Sequence, residues 1–295
     1  MKKILIALSF LLFSTYANAD CNIKSGSINI LANDFPALRT LVETAKECKG
    51  SADFKVTHSA EHNKIAVPAL TANPSEFSVR VAANSSIVPL MNADLIRPMN
   101  DLVKKYGQGI QDSQLITIDG KVMAVAFMAN TQHLYVRTDV LKENGIAIPK
   151  TYEEVVAAAE KIRAAGKMKY PYAAAYKAGW NLAEEFVNMY IGHGGEFFKA
   201  GTAQPNINNA KGVATLNMLK KLADLSNPDY LTHDSEAIKV EWEAGNVAIM
   251  TLWASRSGTL LDDEGDAKIT AATKLVAPAT VGGGNIPAAT LWWDG

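Results

Sequence analysis

Scarcity narrows this sequence before any motif does. Only 2 Cys occur in 295 residues, so a disulfide-dense scaffold and a thiolate zinc site are excluded, and a Cys–His nucleophile has little to be built from. The 5 His are scattered. After the first residues no run approaches the about 20 apolar residues that a membrane-spanning helix requires. Basic residues show no excess: 29 Lys and Arg stand against 30 Asp and Glu. Nucleic acid is therefore not an expected partner, because binding it needs a concentrated positive field. There is no G-x-S-x-G, no H-E-x-x-H, no internal repeat and no low-complexity tract. Gly282-Gly283-Gly284 lacks the strand–loop–helix setting that phosphate binding needs.

What is present begins with a leader. Met1-Lys2-Lys3, an apolar run over 4–13 and the small-x-small Ala17-Asn18-Ala19 form a basic, a hydrophobic and a cleavage region, so residues 1–19 read as a secretory signal peptide and the mature chain starts at Asp20. Asp20 before Cys21 does not fit a lipid-attachment site. In an oxidising compartment Cys21 and Cys48 pair most simply as one disulfide, worth on the order of 3 kcal/mol if unstrained. The remaining length suits two domains rather than one core.

The chain is organised around residues 116–139. Asp119-Gly120 between apolar runs signals a two-residue hairpin, whose turn needs positive φ. The apolar stretch 122–129 reads as a strand buried on both faces, followed by the polar Asn130-Thr131-Gln132-His133 and a second run, Leu134-Tyr135-Val136. Such a strand either leaves one core for another or continues as one strand beside a wet loop. Before this hub, residues 27–32 and 54–57 read as strands around a helix opened by Asn33-Asp34-Phe35-Pro36, with Leu38, Leu41, Val42 and Ala45 facing the core; a further helix (60–71) and strand (77–82) lead to Asn84-Ser85-Ser86. Strand, polar turn and helix in repetition predict a mostly parallel sheet flanked by helices. Ligands gather at the carboxyl ends of such strands, which nominates Asn33, Asp34, Asn84, Ser85 and Ser86, although each also suits a helix cap.

Beyond the hub, Thr151-Tyr152-Glu153-Glu154 is a capping box. A strand over 171–176 ends in Trp180-Asn181, and a helix marked by Phe186, Val187, Tyr190 and Ile191 follows. Asn208 is expected to cap a helix with Val213, Leu216, Leu219, Leu222 and Ala223 on its face. A helix over 237–244 precedes a strand aimed at Trp253; further strands are expected at 274–276 and 288–292. Glu184-Glu185 and Asp262-Asp263-Glu264 read as solvated faces, because neighbouring helix residues point different ways. Catalysis finds little support. Binding finds more, since Trp180, Trp253, Trp292 and Trp293 fall at strand-to-loop edges. A sugar ring presents C–H groups on one face and a rim of hydroxyls, so it suits flat indoles flanked by amides and carboxylates. Trp242, at apolar helical spacing, reads as core, and one of Trp292 and Trp293 must face away from any site.

ILANDFPALR, GKVMAVAFMANTQHLYVRTDVLKENGIAIPKTYEEV, the paired glycines Gly194-Gly195, EWEAGNVAIMTLW and GGGNIPAATLWWDG together resemble the extracellular solute-binding proteins of ABC importers, family 1, the carbohydrate-binding group. That resemblance implies an α/β, two-lobe periplasmic-binding-protein fold of type II, each lobe a mostly parallel sheet flanked by helices, joined by crossover strands. It implies an N-terminal lobe over 20–129, a C-terminal lobe over 130–285 and a strand at 286–295 returning to the first lobe. The family's members run longer, so a fragment is expected. The implied function is a periplasmic receptor that takes a mono- or oligosaccharide between its lobes and delivers it to permease transmembrane subunits, as a monomer without cofactor or metal. The residues carried over are Asn33, Asp34, Asn84, Ser85, Ser86, Asn130, Trp180, Asn181, Trp253, Trp292 and Asp294. The alternatives are a secreted lyase or hydrolase using two opposed carboxylates, and a receptor for an anion or metal, against which Arg137 and Arg256 are dispersed.

Overall fold

The structure is a computed structural model that describes residues 23, 25–262 and 265–295. The expected leader, Cys21 of the expected disulfide, Asp263 and Glu264 lie outside the described residues. The chain divides into two compact units, one ending at Pro98 and one starting at Met99. The sequence-based lobe boundary at 129/130 falls within the second.

The first unit is built on β1 (Ser27–Ala32), α1 (Pro36–Lys46) and β2 (Asp53–His58). The strands are parallel, with Ile28 opposite Phe54, as a βαβ unit requires. After α2 (His62–Thr71), the short β3 (Val79–Arg80) joins the other edge of β1, giving the order β2-β1-β3, and α3 (Ile87–Asn92) follows. Period-two alternation sends Ile30 and Ala32 to one face, packed with Leu38 and Val42 of α1, and Leu31 to the other, packed with Ala66, Ala69 and Leu90. Leu41 and Ala45, expected in the α1 core face, are exposed. The cap is also different: Phe35 is the N-cap and makes no side-chain cap bond. Asp34 instead holds Arg39 through two bonds of 2.6 and 2.8 Å.

In the second unit α4 (Asn100–Tyr106) precedes the hairpin of β4 (Leu115–Ile118) and β5 (Lys121–Val125). Its turn is the expected one, with Asp119 at φ 50° and Gly120 at φ 73°. The apolar run then breaks. β6 (Met128–Asn130) and β7 (Gln132–Arg137) are separate strands in separate sheets. Between them and the next strand lie α5 (Thr138–Glu143) and α6 (Tyr152–Ala164), the latter opened by the predicted capping box: Glu154 N–H donates to Thr151 Oγ1 at 3.1 Å, and Thr151 N–H donates to Glu154 Oε2 at 3.3 Å. β8 (Tyr172–Ala173) is shorter than expected. Then come α7 (Trp180–Gly192), α8 (Ala210–Ala223), α9 (Ser235–Glu243) and β9 (Ile249–Trp253), followed by α10 (Ser257–Leu260), α11 (Ala267–Ala272), β10 (Thr273–Val276) and β11 (Trp292–Asp294). The main sheet runs β10-β7-β9-β8, and β11 pairs antiparallel with β6. Leu134, Val136 and Ile249 pack on one face with α6 and α8, while Tyr135, Met250 and Leu252 pack on the other around Trp242, which is core as expected.

The phase of α8 differs from expectation. Asn209, not Asn208, is the cap, accepting from Lys211 and Gly212. Val213 and Leu216 are 55% and 59% exposed, while Gly212, Thr215, Met218, Leu219 and Leu222 are buried. A Cβ at Gly212 would stand 2.0 Å from the Ile207 carbonyl oxygen, so this glycine permits the close approach that sets the rotation. Among the described residues no helix is long and apolar enough to cross a membrane.

Candidate functional site

Three elements of the second unit each deliver one indole. β9 ends at Trp253, β11 begins at Trp292 and α7 begins at Trp180. Trp180 stacks on Trp253 with ring centroids 6.2 Å apart and planes 25° apart; Trp292 meets Trp180 edge-on at 5.3 Å and Trp253 at 6.0 Å. Trp253 is buried, whereas Trp180 is 49% exposed and keeps an open surface. Indoles in this arrangement present a flat apolar area with polar groups at its rim, the chemistry that holds a ring with hydroxyl edges.

The strand ladders fix these positions. Trp292 stands opposite Asn130 in the β11–β6 pair, and Trp253 opposite Gln132 in the β9–β7 pair. The Asn130 amide is committed to Ser255: its Nδ2 donates to Ser255 Oγ at 3.0 Å and its Oδ1 accepts from Ser255 N–H at 3.2 Å. Tyr135 donates its hydroxyl to the Trp253 carbonyl at 3.0 Å, and burial raises its pKa. Asp294 is buried, and its carbonyl accepts from Phe127 N–H at 3.0 Å. Asn181 lies in the first turn of α7 rather than in a loop. Trp293 pairs with Ala129.

The first unit holds its own candidates. Asn33 and Asp34 leave the carboxyl end of β1, and Asn84-Ser85-Ser86 form the turn beyond β3, at the same edge of the parallel sheet. His58 at the end of β2 has Nδ1 2.9 Å from the Asn33 carbonyl, and Ser86 Oγ accepts from Ala83 N–H at 3.0 Å.

Sequence reasoning missed the polar layer packed behind the indoles. Glu184 and Glu185 are not solvated: they are 7% and 3% exposed. Gln132 Nε2 donates to Glu185 Oε1 at 2.8 Å, and Asn188 Nδ2 donates to Gln132 Oε1 at 2.9 Å. Thr290 N–H donates to Asn188 Oδ1 at 2.7 Å, and Thr290 Oγ1 lies 2.8 Å from both Glu184 Oε1 and Asn188 Oδ1. Burial pushes the Glu185 pKa up to about 8, against the Gln132 bond and with help from Glu184. Burial also raises Glu184, opposed by Thr290. The signal was present in the spacing: Trp180, Glu184 and Asn188 recur at one helical turn and so share a face.

These strands and helices build the type II periplasmic-binding-protein fold, shared with maltose-bound MalE3 of T. maritima (TM-score 0.80, 19% identity, 92% of this chain and 72% of that one). A ribitol complex from Agrobacterium radiobacter K84 (TM-score 0.79, 18% identity, 90% and 70% covered) and a D-mannitol complex from Agrobacterium vitis S4 (TM-score 0.76, 15% identity, 91% and 67% covered) share it too. The chain belongs to the bacterial extracellular solute-binding protein family, whose model matches residues 74–293. A "Probable ABC transporter-binding protein" of Deinococcus radiodurans is 31% identical over 183 residues, which is 59% of this chain; the match spans 42% of that relative's length. The family is one of non-catalytic binding proteins that work outside the cytoplasm.

Proposed function

We propose that this protein is the substrate-binding receptor of an ABC importer, that it works in the periplasm after removal of residues 1–19, and that its solute is a sugar or sugar alcohol. The observation that carries this reading is the Trp180–Trp253–Trp292 cluster, which offers an open indole surface beside buried amides. Its partners are then a mono- or oligosaccharide or polyol and the transmembrane subunits of a permease, with the receptor acting as a monomer. Maltose, ribitol and D-mannitol in the structural neighbours support a polyhydroxylated solute. A Cys21–Cys48 bridge belongs to the same proposal. Its support is that Ile23 donates to the Cys48 carbonyl and accepts from Ser51, both at 3.1 Å, which holds the start of the described chain beside Cys48.

A hydrolase or lyase would need two carboxylates opposed across a substrate. The adjacent Glu184 and Glu185 are buried and bonded to Thr290 and Gln132 instead.

The test is a thermal-shift and tryptophan-fluorescence titration against a panel containing maltose, ribitol and D-mannitol. We expect saturable fluorescence change with at least one member, no product on long incubation, and affinity about tenfold weaker for Trp180→Ala, the loss of roughly one aromatic stacking contact. A panel that shifts neither the melting temperature nor the fluorescence would overturn the assignment.

A further inference from the structure

The polar layer behind the indoles has a node on or beside each element that carries one. Gln132 of β7 is the ladder partner of Trp253. Glu184, Glu185 and Asn188 lie on α7, whose first residue is Trp180. Thr290 lies two residues before Trp292. Buried polar groups are costly unless bonded, and once fully bonded they hold their elements in one arrangement where an apolar layer could slide.

Asn188 Oδ1 is fixed as an acceptor, because it receives Thr290 N–H while its Nδ2 donates to Gln132. The Thr290 hydroxyl lies 2.8 Å from that oxygen and 2.8 Å from Glu184 Oε1, yet owns a single proton. Both contacts are satisfied when Thr290 donates to Asn188 and a protonated Glu184 donates to Thr290. Glu185 has the same preference for its neutral form, being buried with no cation beside it among the described residues.

We infer that Glu184, Glu185, Asn188 and Thr290 are positioning residues: a proton-holding clasp that fastens the segment before Trp292 to α7 and fixes the spacing of the three indoles. The assignment of those indoles to sugar binding rests on the function proposed above; the clasp itself does not. The groups bearing on the two carboxyls are each other, Gln132 from β7, Thr290, and the phenols of Tyr152 from α6, Tyr172 from β8 and Tyr176. All three phenols have raised pKa values through burial and stay neutral as the carboxyls titrate.

Near-UV circular dichroism reads the indole arrangement without any ligand. In the native protein the coupled indole signal should hold well below about pH 8 and change as pH rises through it, where Glu185 gives up its proton. Glu184→Gln, whose amide donates as the acid does, should move or flatten that transition. Thr290→Val should show the altered signal at every pH, and Thr290→Ser should recover it. Affinity for D-mannitol or maltose in Thr290→Val should be weaker on the order of tenfold, the loss of about one bond to a buried group. An unchanged indole signal in Thr290→Val, or a Glu184→Gln transition identical to the native one, overturns the clasp. Should Thr290→Val fail to fold, the Glu184→Gln and Thr290→Ser profiles decide alone. A native protein that shows these spectral changes but binds no member of the sugar and polyol panel keeps the clasp and rejects the sugar assignment.

Discussion

Glu185 is the residue whose charge state most constrains this protein. Its pKa is about 8 in the folded chain against 4.5 for the free side chain, so between those values the folded state holds a proton that the unfolded chain releases. Stability contributed by this group is therefore fully present below the unfolded value and declines as pH rises towards about 8, by up to about 1.4 kcal/mol per pH unit. Urea denaturation should find that Glu185→Gln loses this alkaline decline, so that the variant gains on the native protein as pH rises; parallel curves would refute it. Helical spacing sets Glu184 on the face of Trp180 and Asn188 but gives no hint for Glu185, because adjacent positions diverge by about 100° and one is ordinarily wet. Here α7 is covered on both flanks, by β7 on one and the segment carrying Thr290 on the other. Neither neighbour is close in sequence, so the burial could not be read from the pattern.

At the scale of single elements, capping chemistry was legible and rotation was not. Thr151-x-x-Glu154 specifies its own geometry locally, because both bonds close within one turn. Thr151→Ala should cost about 1 kcal/mol, measurable as a lower urea midpoint at constant slope. The face of α8 is another matter: Val213 and its leucines surround much of the helix, and the Gly212–Ile207 contact selects which are buried. Leu216→Lys should therefore change stability by no more than about 0.5 kcal/mol, while Leu222→Ala should cost about 2–5 kcal/mol. Equal costs would mean the helix is rotated from the observed phase.

For the whole molecule, the two units carry opposite pH liabilities. His62 in the first unit is held down to about 4, chiefly by burial and then by Arg80, so its contribution is lost as pH falls below 6.5 towards that value. Glu185 in the second is lost as pH rises. The melting temperature should peak between these limbs; His62→Asn should ease the acid limb and Glu185→Gln the alkaline one, with additive effects since the two share no partner among the described residues. The sequence by itself determined what rests on local periodicity and turn chemistry: the βαβ opening, the Asp119-Gly120 hairpin, the capping box, the core placement of Trp242 and the choice of Trp180, Trp253 and Trp292 as candidates. Only the tertiary structure decided that those indoles touch one another, that Asn130 is spent on Ser255, and that two acids lie dry behind them, because each depends on contacts between segments far apart in the chain, whose energies no short window of sequence contains.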